Sequence, residues 1–159
     1  YALKTSLEKE ILSKEDLKSL FKNYHPIVNN IISKTNEDVI ITNKIMDIKP
    51  IDNWIKDKVC LIGDAAHATT PNMGQGACQS IEDALVLARE LSEPQEVETA
   101  FHKYQEYRII KANKVISTSW SVGKVSHYKN TITVGLRNFI IKNIPKSMMK
   151  KQNEFLYKI

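Results

Sequence analysis

Asp64, Pro71 and the glycines at 63, 74 and 76 carry the chemistry of this chain. They sit in the run Val59-Cys-Leu-Ile-Gly-Asp-Ala-Ala-His-Ala-Thr-Thr-Pro-Asn-Met-Gly-Gln-Gly-Ala-Cys-Gln-Ser-Ile-Glu-Asp-Ala-Leu85. The order of parts builds a site for a large anionic or hydroxyl-rich ligand. A carboxylate at Asp64 accepts hydrogen bonds from sugar-like hydroxyls and repels a phosphate that comes too close. Asp64 taken alone reads as a turn residue or a helix N-cap, and its neighbours reverse that judgement. Pro71 fixes its own φ and keeps Thr70 extended. Gly74 and Gly76 permit positive φ and leave the backbone open to a ligand. A lone Gly-x-Gly is weak; between a buried strand and an amphipathic helix it has the context it needs.

The elements that position these residues follow from the flanking pattern. Val59 to Ile62 is wholly apolar, so it reads as a central parallel strand covered on both faces. Gly63-Asp64 ends it, and in open α/β sheets ligands sit beyond the carboxyl ends of strands. A helix then begins near Gly76 or Ala77, with Ile81, Ala84, Leu85, Ala88 and Leu91 as its predicted apolar face. Its first turn leaves amides unpaired at the positive end of the dipole, a ready anion site. Glu82 and Asp83 lie further in and partly offset that dipole.

Three clusters here resemble a known motif: Gly63-Asp64-Ala65-Ala66-His67, Pro71-x-x-Gly74-Gln75-Gly76, and Glu82-Asp83-Ala84. Together they are similar to the second flavin-binding motif of FAD-dependent aromatic-ring monooxygenases, the group that includes p-hydroxybenzoate and salicylate hydroxylases. Trp54, Tyr104 and Tyr107-Arg108 extend the likeness. The resemblance implies that Asp64 bonds the ribityl hydroxyls of FAD and that Gly63 and Asp64 lie near the pyrophosphate. It also implies that Gly74, Gln75 and Gly76 line the cofactor, and that the amides of Ala77 and Cys78 face the flavin N1/O2 edge. The Pro71 carbonyl would lie near the flavin's reactive carbon, which makes Pro71 the one catalytic assignment. NAD(P)H would reduce FAD, and O₂ would give a flavin hydroperoxide that hydroxylates or epoxidises a small organic, aromatic substrate. The cofactor does the hard step, so no nucleophile-base constellation is expected.

The implied fold is α/β and helix-rich, the C-terminal part of a FAD/NAD(P)-binding Rossmann-like domain with a remnant of a substrate-domain β-sheet. Residues 1–52 would end the substrate-binding domain, 53–128 the FAD-binding domain, and 129–159 would form C-terminal helices. The five glycines, at 63, 74, 76, 123 and 135, form no Gly-x-Gly-x-x-Gly, and the family's middle Asp-Gly motif is absent. The chain also opens at Tyr1. We therefore expect the C-terminal portion of a longer enzyme, whose missing segment is its principal partner. The alternatives are a reductase or halogenase of the same fold, or a non-catalytic ligand-binding remnant. Asp64, Gly74 and Gly76 are all intact, which argues against decay.

Elsewhere the sequence is less specific. Lys14 to Ser33 reads as helix with a break at Pro26, and Ser13 with Asp16 resembles a capping box. Val39 to Lys49 reads as a strand. A long helix is predicted from about Glu96 to Val125, with Gly123 loosening its end, then Leu136 to Ile144 and a final helix from Lys146. His67 is expected to fix its turn by bonding to backbone, Arg108 to pair with Glu82 or Asp83, and Trp54 to pack in the core. Cys60 and Cys78 lack metal or redox spacing and suit a reduced cytoplasmic setting. The +5 net charge is mostly scattered, so a nucleic-acid surface is not indicated. The basic tail from Lys142 to Lys158 reads as a closing helix with a solvated lysine face in preference to a membrane-surface helix.

Half a flavin site should hold the cofactor poorly. The isolated chain mixed with FAD and NADPH is expected to give no stably yellow protein and no NADPH oxidation above the flavin blank.

Overall fold

Ser13 opens the first helix of the computed structural model, which describes residues 11–157. Its hydroxyl accepts from the Asp16 amide while the Asp16 carboxylate accepts from the Ser13 amide, a complete capping box with Asp in place of Glu. Helix α1 is Lys14–Leu20. Pro26 does more than kink a continuing helix. It starts α2, Pro26–Lys34, because its missing amide costs nothing at the first helical position. His25 Nδ1 caps that start by accepting from the Ile27 amide. Both helices belong to the first of two compact units, Tyr1–Ile45.

The strand predicted over Val39 to Lys49 is not formed. A 3₁₀ turn at Glu37–Val39 is followed by residues 40–50 without regular structure. The β-branched residues supply propensity, but a strand exists through its ladder. No described segment pairs with this one, and Ile41 is 82% exposed.

The second unit is Met46–Ile159. Its sheet is a small hairpin of β1, Ile55–Lys56, and β2, Val59–Cys60, antiparallel with Ile55 opposite Cys60. Asp57 takes φ +51° in the turn between them. This corrects the expectation of a central parallel strand covered on both faces. Among the described residues only β1 flanks β2, so Val59 is 61% exposed and Ile62 is exposed as well. After the hairpin come α3, Asp64–His67, a 3₁₀ turn at Pro71–Met73, α4, Gly76–Ser92, and α5, Val97–Ser126. The helix-rich character and the long helix after Pro94 match the sequence reading.

The core joins Trp54, Ala66, Val86, Tyr104 and Ala112. The Trp54 ring is tilted against Tyr104 and His67, with centroids 5.8 and 5.6 Å away, and its amide donates to Gln105 Oε1 at 2.6 Å. Tyr104, Arg108, Lys111, Ala112, Val115, Ser119 and Gly123 form the buried stripe of α5, at helical spacing.

Helix α4 buries the opposite face from the one its apolar residues predict. Gln79, Asp83, Val86 and Glu90 point inward, while Ile81 is 70% exposed and Ala84, Leu85, Ala88 and Leu91 also face outward. Arg108 and Lys111 on α5 explain the inversion: they give the inward carboxylates partners, and buried charges persist when paired.

Asn130 caps α6, accepting from the Ile132 amide at 2.9 Å, so this helix spans Thr131–Lys142 and begins earlier than expected. Helix α7, Lys146–Tyr157, follows Pro145 as predicted. Its Leu156 is buried and the Lys114 ammonium lies 4.5 Å from the Phe155 ring centre, whereas Met148 and Met149 are exposed. No described helix is long and apolar enough to cross a membrane.

Tyr104 separates packing from hydrogen bonding. Its ring is fully buried and its hydroxyl donates a long bond, 3.3 Å, to the Leu61 carbonyl. In urea denaturation Tyr104→Ala should cost about 3–5 kcal/mol, and Tyr104→Phe only about 1 kcal/mol.

Candidate functional site

Gly63 takes φ +59° and ψ −138°, a conformation nearly closed to residues with a Cβ. A Cβ there would also approach Ser80 Oγ to 2.9 Å. The Gly63 carbonyl accepts from the amides of Ala66 and His67, both at 2.9 Å, and so starts α3. Asp64 is the first residue of α3. Its carboxylate is exposed and makes no hydrogen bond to any described residue.

One buried carboxylate holds this turn at both ends. Asp83 Oδ2 accepts from the Gly63 amide at 2.9 Å and from His67 Nε2 at 2.5 Å. His67 thus fixes the turn as expected, but through a carboxylate and not through backbone. Asp83 Oδ1 accepts from Arg108 Nε at 2.7 Å. The rest of the Arg108 fork reaches Glu82 at 2.6 Å, Gln79 Oε1 at 2.8 Å and the Gln79 carbonyl at 3.2 Å. Lys111 also bonds Glu82, at 2.7 Å. Glu82 and Asp83 are therefore partners of α5 first and modifiers of a dipole second.

Burial alone would raise the Asp83 pKa. The bonds from His67, Arg108 and Gly63 outweigh it and hold the carboxyl below its ordinary value. Burial, then the Asp83 charge, pushes the Tyr104 phenol and the Cys60 thiol upward. Cys60 is half-buried and Cys78 exposed; both are free thiols.

The second half of the site runs from Ala68 to α4. Pro71 opens the 3₁₀ turn, and its carbonyl accepts from the Gly74 amide at 3.0 Å. Gly74 closes that turn at φ +63°, exposed, with nothing within 4 Å of the point a Cβ would occupy. Gln75 precedes α4, and the bond from the Gln79 amide to its carbonyl begins the helical ladder. The amides of Gly76, Ala77 and Cys78 lie ahead of that bond, and Ala77 and Cys78 are exposed. The Thr69 hydroxyl is buried without a partner among the described residues, and its methyl lies beside Gly76.

The residues read from the sequence thus share one framework: Gly63 is tied to α4 through Asp83, and Gly74 to Gly76 lead directly into α4. A free carboxylate, open first-turn amides, side-chain-free backbone at Gly74 and an orphaned hydroxyl suit a ligand with hydroxyls and negative charge. They fit FAD. Sequence reasoning missed Asp83 as the anchor of Gly63, and Gln79 as a partner of Arg108. The pairing expected between Arg108 and Asp83 was the available signal that Asp83 points inward. Among the described residues no His, Cys, Asp and Glu group could hold a metal.

Known proteins resemble this chain in sequence and in fold. The family model described as "FAD binding domain" matches residues 19–119. The aurachin C monooxygenase/isomerase of Stigmatella aurantiaca is 35% identical over 130 residues, covering 82% of this chain and 34% of that protein. The 3-hydroxybenzoate 6-hydroxylase of Klebsiella oxytoca is 30% identical over 146 residues, covering 91% and 36%. The crystal structure of Klebsiella pneumoniae HpxO complexed with FAD and uric acid superimposes with a TM-score of 0.79 at 23% identity, over 90% of this chain and 37% of that one. The chain spans about a third of the length of these proteins.

Asp83 sets an acid limit on stability. Its folded pKa lies below the unfolded value of about 3.9, so its contribution is fully present above that pH and is lost as pH falls through the folded value. Thermal melts from pH 7 to pH 2 should show Asp83→Ala destabilised by about 3–5 kcal/mol at neutral pH. The gap to the unsubstituted chain should narrow below about pH 4.

Proposed function

The chain belongs to the FAD binding domain family, and from that premise we propose that it is the C-terminal portion of an FAD- and NAD(P)H-dependent monooxygenase that hydroxylates or epoxidises a small, aromatic organic substrate. The observation that carries this reading is the pairing of an unengaged Asp64 carboxylate with the open amides at the start of α4, joined by Asp83. Residues 1–52 complete the substrate-binding domain, 53–128 the FAD-binding domain, and 129–159 the C-terminal helices. The exposed apolar residues of β2, α4 and α6, among them Val59, Ile81, Leu85, Leu136 and Phe139, are faces for the remainder of the enzyme. Two free cysteines support a cytoplasmic location.

When bound, FAD supplies the redox chemistry, accepting a hydride from NAD(P)H and activating O₂. The chain's own residues bind and orient. The Asp64 carboxylate accepts hydrogen bonds from the ribityl hydroxyls. Gly63, whose missing side chain lets it pack against Ser80, holds its backbone near the pyrophosphate. The Ala77 and Cys78 amides, at the positive end of α4, stabilise negative charge on the ring edge. Gly74, Gln75 and Gly76 let the ring approach the backbone, and the Pro71 main chain borders the reacting face.

In the intact protein, Asp64→Ala should weaken FAD binding about 10- to 100-fold, the loss of charge-assisted hydrogen bonds of about 1.5–3 kcal/mol. Bound flavin measured by absorbance after gel filtration reads the effect, and unchanged flavin content would remove Asp64 from the site. Incorporation of one atom of ¹⁸O₂ into a product, dependent on NAD(P)H, separates a monooxygenase from a reductase or halogenase.

A further inference from the structure

The segment that carries Pro71 is fastened to α5 by a closed set of hydrogen bonds. Ser119 Oγ donates to the Thr70 carbonyl at 2.6 Å and lies 2.9 Å from Thr70 Oγ1. Asn72 Nδ2 donates to Thr70 Oγ1 at 2.8 Å and to the Ser119 carbonyl at 3.1 Å. With the Ser119 hydroxyl committed to the Thr70 carbonyl, Thr70 Oγ1 donates to Ser119 Oγ and accepts from Asn72. Both neighbours of Pro71 are therefore pinned to one residue of α5, and Ser119 is fully buried.

Gly123, one turn further along α5, is buried beneath the Asn72 side chain. A Cβ there would overlap the Asn72 carboxamide, lying 3.1 Å from its Cγ. The end of an Asn side chain can ordinarily move aside. Here moving it breaks two hydrogen bonds at once, so Gly123 is required for the latch. This also revises the sequence reading of Gly123, which lies within α5 and serves close approach more than helix termination.

We infer that Ser119 and Gly123 are positioning residues that fix the Pro71 main chain against the cofactor, acting through Thr70 and Asn72. The inference rests on the function proposed above. Neither residue belongs to the flavin motif; both are supplied by the long helix that follows it. Hydrogen bonds suit this task because they are directional. Apolar contact would hold the segment down without setting the orientation of its carbonyls.

The test uses Ser119→Ala and Gly123→Ala in the intact protein. Gly123→Ala favours helix on intrinsic propensity, so it loosens the latch without weakening α5. Hydrogen exchange of the flavin-free protein should speed up about tenfold across residues 69–74, with exchange in α4 and in residues 104–115 unchanged. FAD affinity should stay near that of the unsubstituted protein, because Asp64 and the α4 amides are untouched. Oxygenated product per NAD(P)H consumed should fall at least about twofold. Normal FAD retention with unchanged loop exchange and unchanged coupling in both variants overturns the inference alone. An unsubstituted protein that retains no FAD overturns the proposed function and this inference with it.

Discussion

The bond from the Gly63 amide to the Asp83 carboxylate organises the rest of this unit. Gly63 sits in a backbone conformation that few residues adopt, and that conformation must be held from outside. Asp83 does so from within α4, and the same oxygen takes His67 from the far end of the turn. A bare buried carboxylate would be expensive, and Arg108 makes it tolerable by saturating its other oxygen. The charged cluster is thus a register device: it fixes the hairpin end, α3, α4 and α5 relative to one another. Apolar packing of the same volume could give comparable stability with far less control over where Asp64 points.

Much of the site was readable in the sequence because its requirements are local. Gly74 does adopt positive φ, Pro71 does open a turn, and a helix does begin at Gly76; Gly76 itself does not use the positive φ it permits, and Gly63 does adopt one. The capping box at Ser13, the helix break at Pro26 and the carboxylate partners of Arg108 were equally readable, since each depends on a few neighbouring or complementary groups. The misreadings concern faces and pairing, which are set at a distance. The apolar residues of α4 gave a plausible inward stripe, and Arg108 and Lys111 overrode it from another helix. Val39 to Lys49 and Val59 to Ile62 have strand propensity, but a ladder needs neighbours, and β1 is the one neighbour among the described residues. The contribution of Ser119 and Gly123 could not be inferred from spacing, because a serine and a glycine inside a helix carry no signal of what crosses them.

The distribution of exposed apolar residues follows from the same point. Trp54, Tyr104 and Val86 form a core small for a unit of this size, while Ile81, Leu85 and Phe139 lie on its surface. A chain that covers about a third of its relatives' length keeps the internal order of its own segment. The exposed apolar faces are the ones assigned above, as a proposal, to the remainder of a longer enzyme.

Helix α5 runs unbroken for 30 residues, about 45 Å at 1.5 Å per residue. Arg108 grips one portion of the site and Ser119 the other, so a single stiff rod spans both jaws. Neither jaw can swing without bending the rod or rupturing an anchor. In the intact enzyme proposed above, an occupant would load and leave by the lifting of whatever covers the site and not by the parting of its two halves.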